Sequence, residues 1–282
     1  MHPSISTDPD VRQAFSTDAS GLALVPEGVA RPGGVEEVVA LVRAAARDRT
    51  PITAAGGQTS TTGASITDAG VILSLRGLDR VLDVDRAAET AWVQAGVPLG
   101  EFKRLVAAEG LMFAPDPTSE EDVTIGGAIA CNASGARSLR YGATRAHVTA
   151  LRVVLASGEL IEVRRPGLEK NTAGYALAQD PVDWFVGSEG TLGVIVEAQV
   201  RLLPRPVRVT GLAIPFAGEI GALGFVVAAR ESRAVDPRCL EYFDGLALEI
   251  ARSVHSDQRW AVSAAGMVYV EEASTDGGEP PL

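Results

Sequence analysis

Thr124-Ile125-Gly126-Gly127-Ala128-Ile129-Ala130-Cys131-Asn132-Ala133-Ser134-Gly135 lies within residues 115–142, a stretch with many turn residues and little hydrophobic periodicity. Irregular stretches of that length inside a compact domain are usually functional. Gly126 and Gly127, followed by small side chains, let a flat ring lie against the main chain, and Thr124, Asn132 and Ser134 offer hydrogen bonds to it. The same residues also suit a small-residue helix packed tightly on a sheet. Deciding between the two readings needs the rest of the chain, beginning with the flanking segments Pro115-Asp116-Pro117-Thr118-Ser119 and Arg140-Tyr141-Gly142.

Two more glycine loops stand at strand ends. Residues 51–55 read as a strand that runs into Gly56-Gly57-Gln58-Thr59-Ser60, where adjacent glycines permit a sharp turn and successive N–H groups can converge on phosphate oxygens. Gly187-Ser188-Glu189-Gly190-Thr191-Leu192-Gly193 leads into a strand over residues 193–203. Each alone also reads as an ordinary glycine-rich connection.

Around these loops strand and helix patterns alternate. Strands are predicted at residues 22–29, 71–75, 81–84 and 91–95, and Ser157-Gly158 turns a hairpin between 151–155 and 160–163. Val35, Val38, Val39 and Val42 form one helical stripe. A second helix starts at Pro98, taken as its first residue, and buries Phe102, Leu105 and Val106. Pro204 and Pro206 mark a boundary, after which a strand at 207–215, helices near 219–230 and 240–254 and a strand at 264–270 give a β-α-α-β order. The chain then runs into a loop at 274–282. The expected organisation is an irregular segment 1–21, a nucleotide-binding domain 22–206 and a partial second domain 207–282.

Composition narrows the function. With 282 residues, 46% of them hydrophobic, the chain can bury substantial cores, and its formal charge of −11 is wrong for a phosphate-backbone partner. No apolar run approaches the roughly 18 residues of a membrane helix, and the polar start lacks a signal peptide's pattern, so the expected location is cytoplasmic. Cys131 and Cys239 are read as small buried hydrophobes. His2, His147 and His255 have no metal-ligand spacing, so no metal is expected, and His147 reads as a partly exposed structural residue. Glu120-Glu121-Asp122 reads as a solvated surface run, and Arg137, Arg140 and Arg145 as salt-bridged or as contacts to an organic acid. Neither G-x-G-x-x-G nor G-x-x-x-x-G-K-[ST] occurs, so another nucleotide fold must explain the glycines.

Taken together and in this order, the three loops resemble the FAD-binding domain of the vanillyl-alcohol oxidase / p-cresol methylhydroxylase superfamily. PDPTS, TIGGAIACNASG, RYG, LRVVLASGE and GSEGTLG make the pattern most like that of glycolate oxidase subunits and D-lactate or D-2-hydroxy-acid dehydrogenases. The resemblance covers residues 22–203. It implies an α+β fold, a two-subdomain FAD-binding domain followed by the start of an α/β cap domain for substrate.

The resemblance also implies a site. Gly56, Gly57, Gln58, Thr59 and Ser60 would hold the FAD pyrophosphate; Pro117, Thr118, Thr124, Gly126 and Gly127 would line flavin and ribityl. Asn132, Ala133, Ser134, Tyr141 and Gly142 would complete that wall, and Glu189, Gly190 and Ile195 would close over the adenine-ribose end. Relatives with covalent flavin often carry a histidine in the first loop, where this chain has Gly-Gly-Gln, so non-covalent FAD is expected.

The implied reaction is hydride transfer from a 2-hydroxy acid to FAD, with no catalytic base assigned. The alternative is a non-catalytic flavin-binding subunit, or a truncated product needing a separate partner polypeptide as cap. A relative of UDP-N-acetylenolpyruvylglucosamine reductase is disfavoured by PDPTS and GSEGTLG.

Overall fold

The computed structural model describes residues 5–167, 180–254, 263–274 and 278. The chain forms two compact units. The first takes residues 1–113, 117–133 and 143–203; the second takes 114–116, 134–142 and 204–282. The second unit thus draws in two short segments from the middle of the sequence, where the expected organisation has one boundary, between residues 206 and 207.

In the first unit, β1 (Ile5–Ser6), β2 (Gly28–Ala30), β3 (Ile52–Ala55) and β4 (Val71–Ser74) form a sheet in the order β1-β2-β4-β3. β2, β4 and β3 are parallel, and β1 is antiparallel to β2. Successive side chains of β4 point to opposite faces. Val71 and Leu73 meet Val38, Leu41 and Val42 of α2 (Val35–Asp48), while Ile72 joins Val29 and Ala55 against Val11 of α1 (Pro9–Ala14) and Phe15. Glu36 and Glu37 in the first turn of α2 and Arg47 in its last match the helix dipole. The strand expected at residues 22–29 is reduced to Gly28–Ala30, because Pro26 donates no ladder hydrogen bond.

A second sheet runs β5-β6-β10-β8-β9, all neighbours antiparallel, from β5 (Val81–Asp85), β6 (Thr90–Gln94), β8 (Val148–Val154), β9 (Leu160–Arg164) and β10 (Val194–Arg201). Gly158, at φ 77°, turns the β8–β9 hairpin. Leu99, Phe102 and Val106 of α3 (Leu99–Ala108) and Ile125 and Ile129 of α4 (Ile125–Ala130) bury one face with Val93, Leu151, Val153 and Ala198. Pro98 is the N-cap of α3, one position earlier than expected. Leu105 is 41% exposed and outside that core. Two-residue strand β7 (Leu111–Met112) follows α3, and α6 (Pro181–Phe185) precedes β10.

Past β11 (Leu203–Pro204), the second unit contains the antiparallel sheet β12-β14-β13 from β12 (Arg208–Phe216), β13 (Cys239–Asp244) and β14 (Gly266–Ser274). Helices α7 (Glu219–Glu231) and α8 (Gly245–Val254) bury Ala222, Ala229 and Leu248, and α5 (Ser138–Tyr141) also belongs to this unit. The observed order β-α-β-α-β corrects the expected β-α-α-β. Residues 239–244 are a strand, pairing along their whole length with β14. Residues 275–277 and 279–282 of the expected terminal loop lie outside the described residues, as do His2 and His255. No helix among the described residues is long and apolar enough to cross a membrane.

Candidate functional site

The first unit brings all three glycine loops together. β3 ends at Ala55, and the loop after it packs so closely on residues 122–124 that a Cβ on Gly56 would collide with Thr124 Oγ1 and one on Gly57 with the Asp122 carbonyl oxygen. Neither glycine has positive φ. Close approach to the Thr124 side chain at Gly56 and to the Asp122 backbone at Gly57 therefore favours glycine, rather than an unusual backbone angle. The N–H groups of Gly57, Gln58, Thr59 and Ser60 have no acceptor among the described residues. Half-buried N–H groups in succession are a ready anion receptor.

Around this row the other groups are committed to the protein. Arg76 Nε donates to Gly56 O at 3.1 Å, and its Nη2 reaches Gly57 O at 3.5 Å. Gln58 stands at φ 56° and donates from Nε2 to Thr17 O at 2.8 Å. Ser60 Oγ accepts from Thr62 N and Ala64 N, closing the turn. Asp18 caps Ser20 and accepts from Ser65 Oγ; burial alone would raise its pKa, but the hydrogen bonds from Ser20 and Ser65 outweigh it and hold the carboxyl below its ordinary value. The N-terminal segment therefore clasps the loop, a contact the sequence reading missed. An Asp-x-Ser turn at Asp18 was its only visible sign.

The second loop is a cap-to-cap helix. Thr124 is its N-cap, accepting from Gly127 N at 3.3 Å, and its own hydroxyl oxygen lies against Gly56. Gly126 donates to Ala95 O at 2.8 Å, and a Cβ there would press on Ala95 Cβ at 2.6 Å. Gly126 is therefore turned toward the sheet. Gly127 is half-buried and a Cβ there would make only ordinary contacts.

At the other end Asn132 adopts φ 48°, Asn132 N donates to Ile129 O and Ala133 N to Ala128 O, which is a Schellman termination. Asn132 Oδ1 accepts from Arg145 N, and Ala133 O from Thr144. Pro117 is buried, with its carbonyl taking Glu120 N, and Thr118 is exposed.

The third loop docks on that helix end. Gly187 N donates to Ile129 O, which also takes Asn132 N, and Glu189 N donates to Ala130 O, a carbonyl the helix leaves open. Glu189 at φ 52° and Gly190 at φ 78° then carry the chain back, and Glu189 Oε1 accepts from Thr62 Oγ1 of the first loop at 3.3 Å. Ile195 is a core residue of β10, 5% exposed, so its side chain is taken up by the protein interior. Gln58, Asn132 and Glu189 are three of the five non-glycine residues with positive φ among the described residues, one in each loop. Such strain gathers where surroundings over-determine the backbone, as at binding sites.

Ser134, Tyr141 and Gly142 belong to the second unit. Gly142, at φ 79°, ends α5; Tyr141 is half-buried, with the Arg140 guanidinium 5.8 Å from its ring centre. In the same unit Arg137 donates to Asp116 and, through Nε and Nη2, to both oxygens of Glu271 at 3.0 and 3.1 Å. Tyr269 Oη donates to Glu271 at 2.7 Å. Burial, then the hydrogen bond to Glu271, pushes the Tyr269 hydroxyl up to about 12, and burial pushes the Cys239 thiol up to about 11.

Other sequence expectations resolve as follows. Arg137, Arg140 and Arg145 are all ion-paired, to Asp116 and Glu271, to Asp236 and to Asp183. Glu120 and Glu121 pair with Lys103 and Arg104. His147 is fully buried, edge-on to Phe113 at 5.9 Å, rather than partly exposed. Cys131 is exposed rather than buried, and Cys239 is buried.

Comparison with known proteins agrees with this geometry. The model of an FAD binding domain family matches residues 26–164. D-lactate dehydrogenase of Archaeoglobus fulgidus is 38% identical over 243 residues, 86% of this chain and 52% of the relative. Glycolate oxidase subunit GlcD of Bacillus subtilis is 36% identical over 83% of this chain and 49% of its own length. D-2-hydroxyglutarate dehydrogenase of Xanthomonas citri pv. viticola is 42% identical over 67% of this chain and 40% of its own. The chain thus spans about half the length, or less, of these curated relatives. A solved alkyldihydroxyacetonephosphate synthase superposes with a TM-score of 0.80 over 96% of this chain and 53% of that one, at 23% identity, which establishes a shared fold. The chain therefore has the FAD-binding fold of the p-cresol-methylhydroxylase type, with an FAD binding domain matched over residues 26–164.

Proposed function

We propose that this chain holds FAD without a covalent bond and forms the flavin-carrying part of an oxidoreductase that acts on a 2-hydroxy acid. The observation carrying the reading is the row of unpaired N–H groups from Gly57 to Ser60 at the end of β3. A pyrophosphate needs converging donors, and this row supplies them without any net positive charge on the chain. Pro117, Thr118, Thr124, Gly127, Asn132 and Ala133 would then flank the flavin and ribityl, with Glu189 and Gly190 at the adenine end. Gly126 and Ile195 support that wall from within. Ser134, Tyr141 and Gly142 join the set through the family resemblance alone.

No histidine stands in the first loop, and His147 is sealed in the core beside Phe113, which supports non-covalent attachment. Bound flavin supplies the hydride acceptor; the chain orients it and shapes its electrostatics. The three relatives named above are called after D-lactate, glycolate and D-2-hydroxyglutarate, all of which carry a hydroxyl beside a carboxylate.

A second reading is a flavin-binding subunit that turns over only with another polypeptide. It is favoured by exposed apolar side chains on the second unit, among them Val207, Ile220, Leu246 and Val254, at 72%, 90%, 65% and 71%. The test is to purify the chain, precipitate it with acid and identify the released flavin. Anaerobic bleaching is then followed with glycolate, D-lactate and D-2-hydroxyglutarate, with and without a candidate partner. Flavin left on the precipitate, or FMN in place of FAD, contradicts the proposed binding mode. Steady turnover by the chain alone contradicts the subunit reading.

A further inference from the structure

We propose that Arg76 is the positioning residue of the anion-binding loop: from the carbonyl side it turns two consecutive peptide planes so that their N–H groups face the pyrophosphate. The proposal rests on the FAD reading above and adds to it a side chain that lies outside all three glycine loops.

The argument begins with peptide geometry. In a trans peptide the C=O of one residue and the N–H of the next point in opposite directions. No peptide bond among the described residues is cis. Arg76 Nε donates to Gly56 O and Arg76 Nη2 approaches Gly57 O, so one planar guanidinium engages two successive carbonyls. The N–H groups on the far edges of those planes belong to Gly57 and Gln58. They are the first two of the row without a protein acceptor. Glycine peptides are the ones most free to flip, because Gly56 and Gly57 lack the Cβ that restricts φ and ψ. Without a hold on the carbonyls, the receptor would have to be organised by the ligand at the ligand's expense.

The backbone of Arg76 is anchored while its side chain stays exposed. It sits in the 3₁₀ turn Leu75–Gly77 that follows β4, between Leu75, 6% exposed, and Leu78, fully buried, with Leu78 N bonded to Leu75 O. Gly77 packs against the Pro32 carbonyl so closely that any side chain there would collide with it. The cation also lies on the oxygen side of both peptide dipoles, where it polarises them and makes each N–H a stronger donor to an anion.

The test compares wild type with Arg76→Gln, Arg76→Lys and the remote surface control Arg47→Gln. Affinities for FAD, ADP and riboflavin are measured by fluorescence titration or calorimetry, and melting temperature and Gly57 and Gln58 amide exchange are measured on the flavin-free chain. Arg76→Gln is expected to weaken FAD and ADP alike by about tenfold, the scale of a charge-assisted hydrogen bond. Riboflavin affinity, which involves no phosphate, and the flavin-free melting temperature should stay at wild-type values. The 57 and 58 amides should exchange faster, and Arg76→Lys should recover part of the loss, since an ammonium can serve one carbonyl. FAD and ADP affinities within twofold of wild type in Arg76→Gln would overturn the assignment. So would a loss that extends equally to riboflavin or follows a lowered melting temperature, because that marks a general structural role. If wild type binds riboflavin but neither FAD nor ADP, or binds no flavin at all, the functional reading itself falls and the assignment with it.

Discussion

Gly57 and Gly127 face opposite consequences from the same added methyl. At Gly57 a Cβ would meet the carbonyl of Asp122, and backbone on both sides must shift; overpacking of that kind costs about 1–3 kcal/mol. Gly57→Ala should therefore lower the melting temperature and release flavin together. Gly127→Ala, with its closest contact 3.4 Å away, should leave the fold intact or gain up to about 1 kcal/mol of helix propensity. A melting temperature several degrees lower in Gly127→Ala would show that this steric account is wrong. Glu271 gives a pH prediction. Burial would raise its pKa above the ordinary 4.5, but hydrogen bonds from Arg137 and Tyr269 and the neighbouring guanidinium charges outweigh it and lower it. A depressed acid contributes stability that is present above its unfolded value and lost as pH falls through the folded one. Resistance to urea should thus fall as pH drops below about 4.5, and Glu271→Gln should flatten that slope. At this scale the sequence made the glycine loops legible, because few residue types tolerate such crowding. The partners of Arg76 and Arg137 were not legible, since many polar groups can satisfy a guanidinium and nothing local selects among them.

The helix Ile125–Ala130 shows how an element is specified at its ends. Thr124 starts it, and Asn132 stops it in the left-handed conformation, where an L-residue other than glycine costs roughly 1–2 kcal/mol. Asn offsets this by accepting from Arg145 N at 2.9 Å. Asn132→Ala should keep the strain and lose the hydrogen bond, destabilising the chain by about 1–3 kcal/mol, and Asn132→Gly should lose less because it removes the strain. Denaturant midpoints separate the two, and equal losses would contradict the strain argument. Element types were readable wherever the period was sustained, as in α2, α3 and the β8–β9 hairpin. Residues 239–244 were misread because Cys-Leu-Glu-Tyr-Phe suits either period over so short a run, and only pairing with β14 settles it. The β-strand expected from residue 22 failed at Pro26, a local signal that outranks hydrophobicity.

At the level of the whole molecule, the two units differ in how fully they hide apolar surface. The first gathers large side chains into contiguous cores, with Leu22, Trp184 and Leu192 its most exposed at 53–54%, whereas the second exposes Val207, Ile220, Leu246 and Val254 at 65–90%, besides Val209, Leu212 and Ile250. Apolar surface gathered in this way tends to mark an interaction site. The chain alone should therefore bind a hydrophobic dye and self-associate with rising concentration, and a covering polypeptide that restores turnover should suppress both. Absence of dye binding by the isolated chain would count against that expectation. The two-unit division was only half legible, because residues 114–116 and 134–142 join the second unit through contacts far along the chain. That interrupted path has a consequence in time. Arg137 and Glu271 are 134 residues apart in sequence, so at ribosomal rates of about 5–20 residues per second Arg137 emerges on the order of ten seconds before its acceptor. During synthesis Asp116 and Arg137 can pair before Glu271 is available, so the sheet that carries Glu271 can be completed only after β14 has been made.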